Sequence, residues 1–112
     1  VVTLHLPLDE LTKNIINKDK LLMMKSEAIL INFARGGLVD EAALKEILLE
    51  KKIAGAAIDV FETEPPIDNE FALIDNVLIT PHIGGSTEEA ILAMGLAAIE
   101  GLKSPRNPLE YL

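Results

Sequence analysis

The order of apolar segments in this sequence predicts an α/β fold, a doubly wound parallel sheet of about four strands with flanking helices. Three observations carry the prediction. Four short stretches are almost continuously apolar, as in strands covered on both faces of a parallel sheet. Helical patterns separate them. The residues able to do acid–base or anion chemistry outside the helices collect where the strands end, the edge at which such sheets bind ligands.

The first predicted strand is Val1 to Leu6, and NKDKLLMMK follows it as a helix. Asn17 can cap its first turn, Leu21, Leu22 and Met24 supply an apolar face, and Met23 and Met24 count as core. The second strand, Ala28 to Phe33, runs into ARGG. The helix in DEAALKEILLEKK then has Asp40 as cap, Leu44, Ile47 and Leu48 toward the sheet, and Lys51 and Lys52 at the negative end of its dipole. Ile53 to Val60 is the third strand. The connection from Val60 to Asn76 carries Pro65 and Pro66, shows no clear helix, and is long enough to suggest function. Val77 to Thr80 is the fourth strand. Ala90 to Leu102 is a helix by its length, opened by Ser86 and Glu89 at capping-box spacing, and KSPRNPLEYL reads as a terminating arm.

At 112 residues and 49% apolar composition, the chain suits one structural unit with a single core. The formal net charge of −8, with basic residues scattered, argues against a nucleic-acid surface or an anionic membrane as partner. No cysteine is present to form a disulfide, a thiolate nucleophile or a sulfur-ligated metal site, and no other metal site is expected. No apolar run approaches a membrane span and no signal peptide is visible, so a cytoplasmic location is the expectation. The opening VVTLHLP has no initiator methionine and a strand already under way, which suggests that the chain begins inside a larger protein.

At the predicted ligand edge stand Arg35, Asp59, Glu64 and His82. A histidine within reach of a carboxylate is a proton-transfer device, because the carboxylate orients the ring and favours the imidazolium. An arginine beside it can grip a carboxylate through two parallel hydrogen bonds. Together they describe a site for a small hydroxy or keto acid, one lacking a redox partner of its own. Each residue also has a plainer reading: Arg35 as a surface arginine paired with Asp40 or Glu41, Gly36 and Gly37 as a tight turn, and His82 as a structural histidine. Glu62 competes with Glu64, and His5 reads as a satisfied wall residue at a strand end.

The stretches AILINFARGGLVDEAAL, AGAAIDVFETEPP and NVLITPHIGGSTEEA closely resemble the coenzyme-binding domain of the D-isomer-specific 2-hydroxyacid dehydrogenases. The resemblance covers nearly the whole chain, with three ordered motifs at family-like separations. It implies a partial Rossmann-like sheet and an NAD cofactor, NADP not being excluded. By the same resemblance, Arg35 binds the substrate carboxylate, His82 is the general acid and base, and Glu64 keeps His82 protonated when it must donate. Asp59 holds the nicotinamide carboxamide, while Leu6, Phe33, Ala34 and Arg35, with His82, Ile83, Gly84 and Gly85, line the nicotinamide and its ribose. The family's G-x-G-x-x-G turn and the acidic residue that reads the ribose hydroxyls are not in these 112 residues, nor is the substrate-binding domain. The chain therefore resembles the second half of the nucleotide-binding domain over residues 1–112. An enzyme part is one implied function; a cofactor-sensing or interaction module, as in the family's corepressors, is the other. A first strand without an upstream neighbour further implies an exposed edge and self-association, with a homodimer as the expected assembly.

Overall fold

The computed structural model describes residues 1–66 and 70–103, which form two compact units, Val1–His82 and a second beginning at Ile83. The predicted terminating arm lies almost entirely outside the described residues.

In the first unit, β1 (Val2–Leu4), β2 (Ile29–Asn32), β3 (Gly55–Ile58) and β4 (Val77–Ile79) lie side by side in chain order, all parallel. The four predicted strands are all present, each trimmed to where neighbouring backbone groups pair. Two helices connect them: α1 (Lys18–Leu22) between β1 and β2, and α2 (Glu41–Leu49) between β2 and β3. The connection from Val60 to Asn76 contains one short 3₁₀ turn, Glu70–Leu73, where the sequence showed no clear helix. Phe71 buries itself there and meets Phe61 at a ring-centroid distance of 6.2 Å.

Consecutive crossovers of one hand place every connection on the same face of the sheet. Leu4, Leu30, Ala56 and Ile58 fill that face and pack with Leu21 of α1 and Leu44, Ile47 and Leu48 of α2. Each fully buried leucine or isoleucine contributes about 1.5–3 kcal/mol relative to exposure. The opposite face carries Ile29, Ile31, Ala57 and Leu78, of which Ile29 and Leu78 are 41% and 64% exposed. Continuous apolarity led to strands covered on both faces; in this unit only one face is covered.

Local chemistry sets the helix ends. Asn17 accepts the Lys20 N–H at 3.1 Å and Asp40 the Ala43 N–H at 2.9 Å, as their cap positions predict. The apolar face of α1 is narrower than predicted: Leu21 is buried and Met24 packs against the core, but Leu22 and Met23 point to solvent. With only five residues the helix offers a single turn to α2, which accommodates one leucine. After α2, Lys51 adopts a left-handed φ of 53°, and the Lys51 and Lys52 N–H groups return to Leu48 O and Ile47 O at 3.0 Å each. This is the paired closure usually built on glycine.

The second unit is dominated by α3 (Glu88–Lys103), slightly longer than the predicted Ala90 to Leu102. Its cap is not Ser86. The Thr87 hydroxyl accepts the Ala90 N–H at 3.1 Å, so the helix starts one residue later, and the Ser86 N–H closes a turn onto Ile83 O. None of the described α3 residues is buried.

Candidate active site

The corner NFARGG is shaped by Asn32, a residue the sequence reading left without a role. Almost fully buried at the end of β2, it accepts the Ala34 N–H at 3.2 Å and donates from Nδ2 to Arg35 O at 3.0 Å. These bonds fold residues 32–35 into a tight corner without a continuing strand. Gly37 follows with φ 79°, the left-handed conformation that glycine adopts without strain. Gly36 is required for a different reason: a Cβ there would lie 1.9 Å from Phe61 O. The ARGG turn is therefore pressed against the backbone that follows β3.

Arg35 is exposed on this turn, and its Nη1 donates to Ala34 O at 2.7 Å. Neither alternative partner is used. The Asp40 carboxylate caps α2, and Glu41 accepts the Glu62 N–H at 2.6 Å. Among the described residues the Arg35 guanidinium forms no ion pair.

Past the carboxyl ends of β3 and β4 opens a cleft of about 510 Å³. Asp59, Glu64, Thr80 and His82 supply its polar lining, and Phe61, Pro65 and Ile79 much of its apolar lining. Glu64 is held from two sides: Oε1 accepts the Phe61 N–H at 2.9 Å and Oε2 meets His82 Nδ1 at 2.7 Å. The bond to His82 is the main reason the Glu64 carboxyl sits below the usual carboxylate range, with the Phe61 N–H adding to it. His82 itself has a left-handed φ of 54°, an uncommon conformation for a residue with a side chain, here directly after Pro81. His82 meets Glu64 and not Glu62, the other glutamate of the same segment.

Asp59 is 2% exposed and accepts the Thr80 hydroxyl at 2.5 Å. Thr80, at the end of β4, thus orients the aspartate, a pairing that depends on β3 and β4 being neighbours. The structure brings Asp59, Glu64 and His82 into one cleft, whereas Arg35 lies on the adjoining turn and outside the cleft lining. Leu6 and Phe33 stand exposed after β1 and β2, with Ala34 half-buried. Ile83, Gly84 and Gly85 follow His82 in the chain and open the second unit, all three exposed. His5, expected as a satisfied wall residue, has a partner in the Thr3 hydroxyl at 3.0 Å and is exposed.

A cleft with apolar walls and a buried, oriented carboxylate at its base fits a flat ring bearing an amide, since the carboxylate can accept the amide N–H. The chain has no glycine-rich turn for a pyrophosphate, so its fit is to the nicotinamide end of such a cofactor.

Residues 1–84 match the family model described as D-isomer specific 2-hydroxyacid dehydrogenase, NAD binding domain. The chain belongs to this family. It is 53% identical over 102 residues to D-3-phosphoglycerate dehydrogenase of Methanocaldococcus jannaschii, covering 91% of this chain and 20% of the relative. It is 45% identical over 102 residues to hydroxypyruvate reductase of Thermotoga maritima, covering 88% and 33%. Among solved structures, a glyoxylate reductase from Paecilomyes thermophila superposes with a TM-score of 0.86 at 35% identity, covering 91% of this chain and 31% of that one. A family member from Xanthobacter autotrophicus Py2, in complex with NADPH and MES, superposes with a TM-score of 0.69 at 44% identity over 73% and 27%. The chain spans between a fifth and a third of the length of these 2-hydroxyacid dehydrogenase relatives. The four-stranded parallel sheet and its flanking helices are thus part of a Rossmann-like NAD-binding domain.

Proposed function

We propose that the chain is the catalytic half of the cofactor domain of an NAD(P)-dependent D-2-hydroxyacid dehydrogenase that interconverts a D-2-hydroxy acid and its 2-keto acid. The observation that carries this reading is the Glu64–His82 pair, 2.7 Å apart in the cleft that also holds Asp59. The cofactor, when bound, supplies or accepts the hydride. Glu64 accepts the His82 Nδ1–H, which fixes the ring and its tautomer and leaves Nε2 to exchange a proton with the substrate oxygen. Arg35, with no carboxylate partner among the described residues, grips the substrate carboxylate. Asp59, held by Thr80, accepts from the carboxamide. Leu6, Phe33, Ala34, Ile83, Gly84 and Gly85 supply the remaining contacts to nicotinamide and ribose.

Similarity to D-3-phosphoglycerate dehydrogenases favours a phosphorylated 2-hydroxy acid, while the hydroxypyruvate and glyoxylate reductase relatives make a smaller one the second reading. A cytoplasmic metabolic enzyme suits that chemistry, and no helix among the described residues is long and apolar enough to cross a membrane. A homodimer is supported by the uncovered edge of β1 and by the apolar, exposed surface of α3.

By itself the 112-residue chain should show no turnover with NADH and a 2-keto acid, for want of a pyrophosphate cradle. A chimaera carrying this segment in place of the matching fifth of the M. jannaschii enzyme should retain dehydrogenase activity. His82→Gln in that chimaera should lower kcat by about 10²–10⁴-fold, the usual worth of a general acid. A folded, NADH-binding chimaera whose turnover is indifferent to His82→Gln would refute the assignment.

A further inference from the structure

Glu41 opens α2, where any acidic side chain gains a little from the helix dipole. Its carboxylate has a more specific task. Oε1 accepts the Glu62 N–H at 2.6 Å, reaching a residue 21 positions along the chain. The segment Phe61–Glu64 belongs to no strand or helix. Two consecutive N–H groups of that segment are instead taken by carboxylates: Phe61 by Glu64, and Glu62 by Glu41. Gly36 presses on the same peptide, its hypothetical Cβ 1.9 Å from Phe61 O and 2.5 Å from Glu62 N. The free oxygen of Glu64 then meets His82.

We infer that Glu41 is a positioning residue for the proton-transfer pair: it pins the Phe61–Glu62 peptide to the start of α2 and so sets where Glu64 stands to receive His82. Its catalytic meaning rests on the dehydrogenase reading above; its structural meaning does not. The site keeps this carboxylate at some expense. Burial pushes the Glu41 carboxyl above the usual range, the Glu62 N–H and Lys45 draw it down, and the Glu62 and Glu64 carboxylates push it up. A helix-dipole charge could sit in open water without that burden. One that must reach a backbone N–H across the turn could not.

The test separates reach from charge. Glu41→Asp keeps the negative charge at the start of α2 but falls one methylene short of Glu62. Glu41→Gln discards the charge and keeps an acceptor oxygen at full reach. In the 112-residue chain, carbon-detected titration of the Glu64 carboxyl and the shift of the Glu62 amide proton report the pair without any nucleotide. In Glu41→Asp the Glu64 carboxyl should climb back toward the ordinary glutamate range, and the Glu62 amide proton should move upfield. In Glu41→Gln the Glu64 carboxyl should stay at or slightly below its wild-type range, and the Glu62 amide proton, still bonded but to a neutral acceptor, should move upfield by less than in the aspartate variant. If the aspartate variant titrates like wild type, or the glutamine variant moves as far as the aspartate one, the inference falls. The glutamine variant also decides alone, since an ordinary Glu64 titration there overturns it. These readouts are independent of turnover in the chimaera, so failure of the positioning role and failure of the dehydrogenase reading are told apart.

Discussion

The Glu64 and Glu41 carboxyls, each bound to an N–H of the segment after β3, are displaced in opposite directions, and burial against partnership explains it. Glu64 gains a histidine and a backbone N–H, so its carboxyl is depressed. Glu41 loses water and faces like charges, so its carboxyl is raised. A depressed folded value means that the Glu64 bonds stabilise the protein above the ordinary glutamate range and that this contribution disappears as pH falls through the folded value. Glu41 acts in reverse: its contribution is present at low pH and is lost as pH rises from the ordinary glutamate value through its raised one. Glu64→Gln should therefore lower the unfolding midpoint near neutral pH and make little difference well below pH ~4. The Glu64 side chain is 35% exposed, so solvent screening limits the effect to about half a kcal/mol. Urea titrations of both proteins across that range would check it; a gap that persists at low pH would contradict it. Of these residues, Arg35, Asp59, Glu64 and His82 were legible as chemistry in the sequence. Asn32, Thr80 and Glu41 were not, because each acts through a partner that only the folded chain brings near.

The helix termini show how far local sequence reaches. Asn17 and Asp40 cap as their positions predict, since each needs only its own backbone three residues on. At the start of α3 the same logic misplaced the cap by one residue, since two adjacent hydroxyl residues offer the same chemistry and the helix begins after Thr87. The end of α2 could not be read from residue type: Lys51 occupies a left-handed position where glycine is the usual choice. Its side chain carries a steric cost there of about 1 kcal/mol. Lys51→Gly should recover most of that cost and raise the urea midpoint without changing the slope of the transition. A fall in midpoint would mean that the lysine is worth more than its backbone strain. The 3₁₀ turn at Glu70–Leu73 escaped notice for a related reason. Four residues carry too little periodicity to register, and it is held by Phe71 against Phe61 and by Lys45, which pairs with Glu70 and lies 5.8 Å from the Phe71 ring centroid.

At the scale of the whole molecule, two apolar surfaces remain uncovered within their own units: the sheet face of Ile29 and Leu78, and α3 with Ile91, Leu92, Leu96 and Ile99 all more than half exposed. A helix with such a surface is ordinarily buried against something, and a parallel edge at β1 that is unpaired among the described residues invites another strand. The purified chain should therefore self-associate, with a sedimentation coefficient that rises with concentration; a clean monomer at high concentration would count against it. The amino-acid sequence by itself determined the α/β class, the four parallel strands, the capped starts of α1 and α2, and the placing of Asp59, Glu64 and His82 in the segments that follow β3 and β4. Those features depend on short-range periodicity, on cap chemistry and on motifs a few residues long. Only the tertiary structure decided that one sheet face is covered in the first unit, that Thr80 orients Asp59, and that Gly36, Glu41 and Asn32 hold the turns in place. Each of those depends on which distant backbone comes within hydrogen-bonding or van der Waals reach, and that is settled when β2, β3 and β4 pair and α2 packs across them.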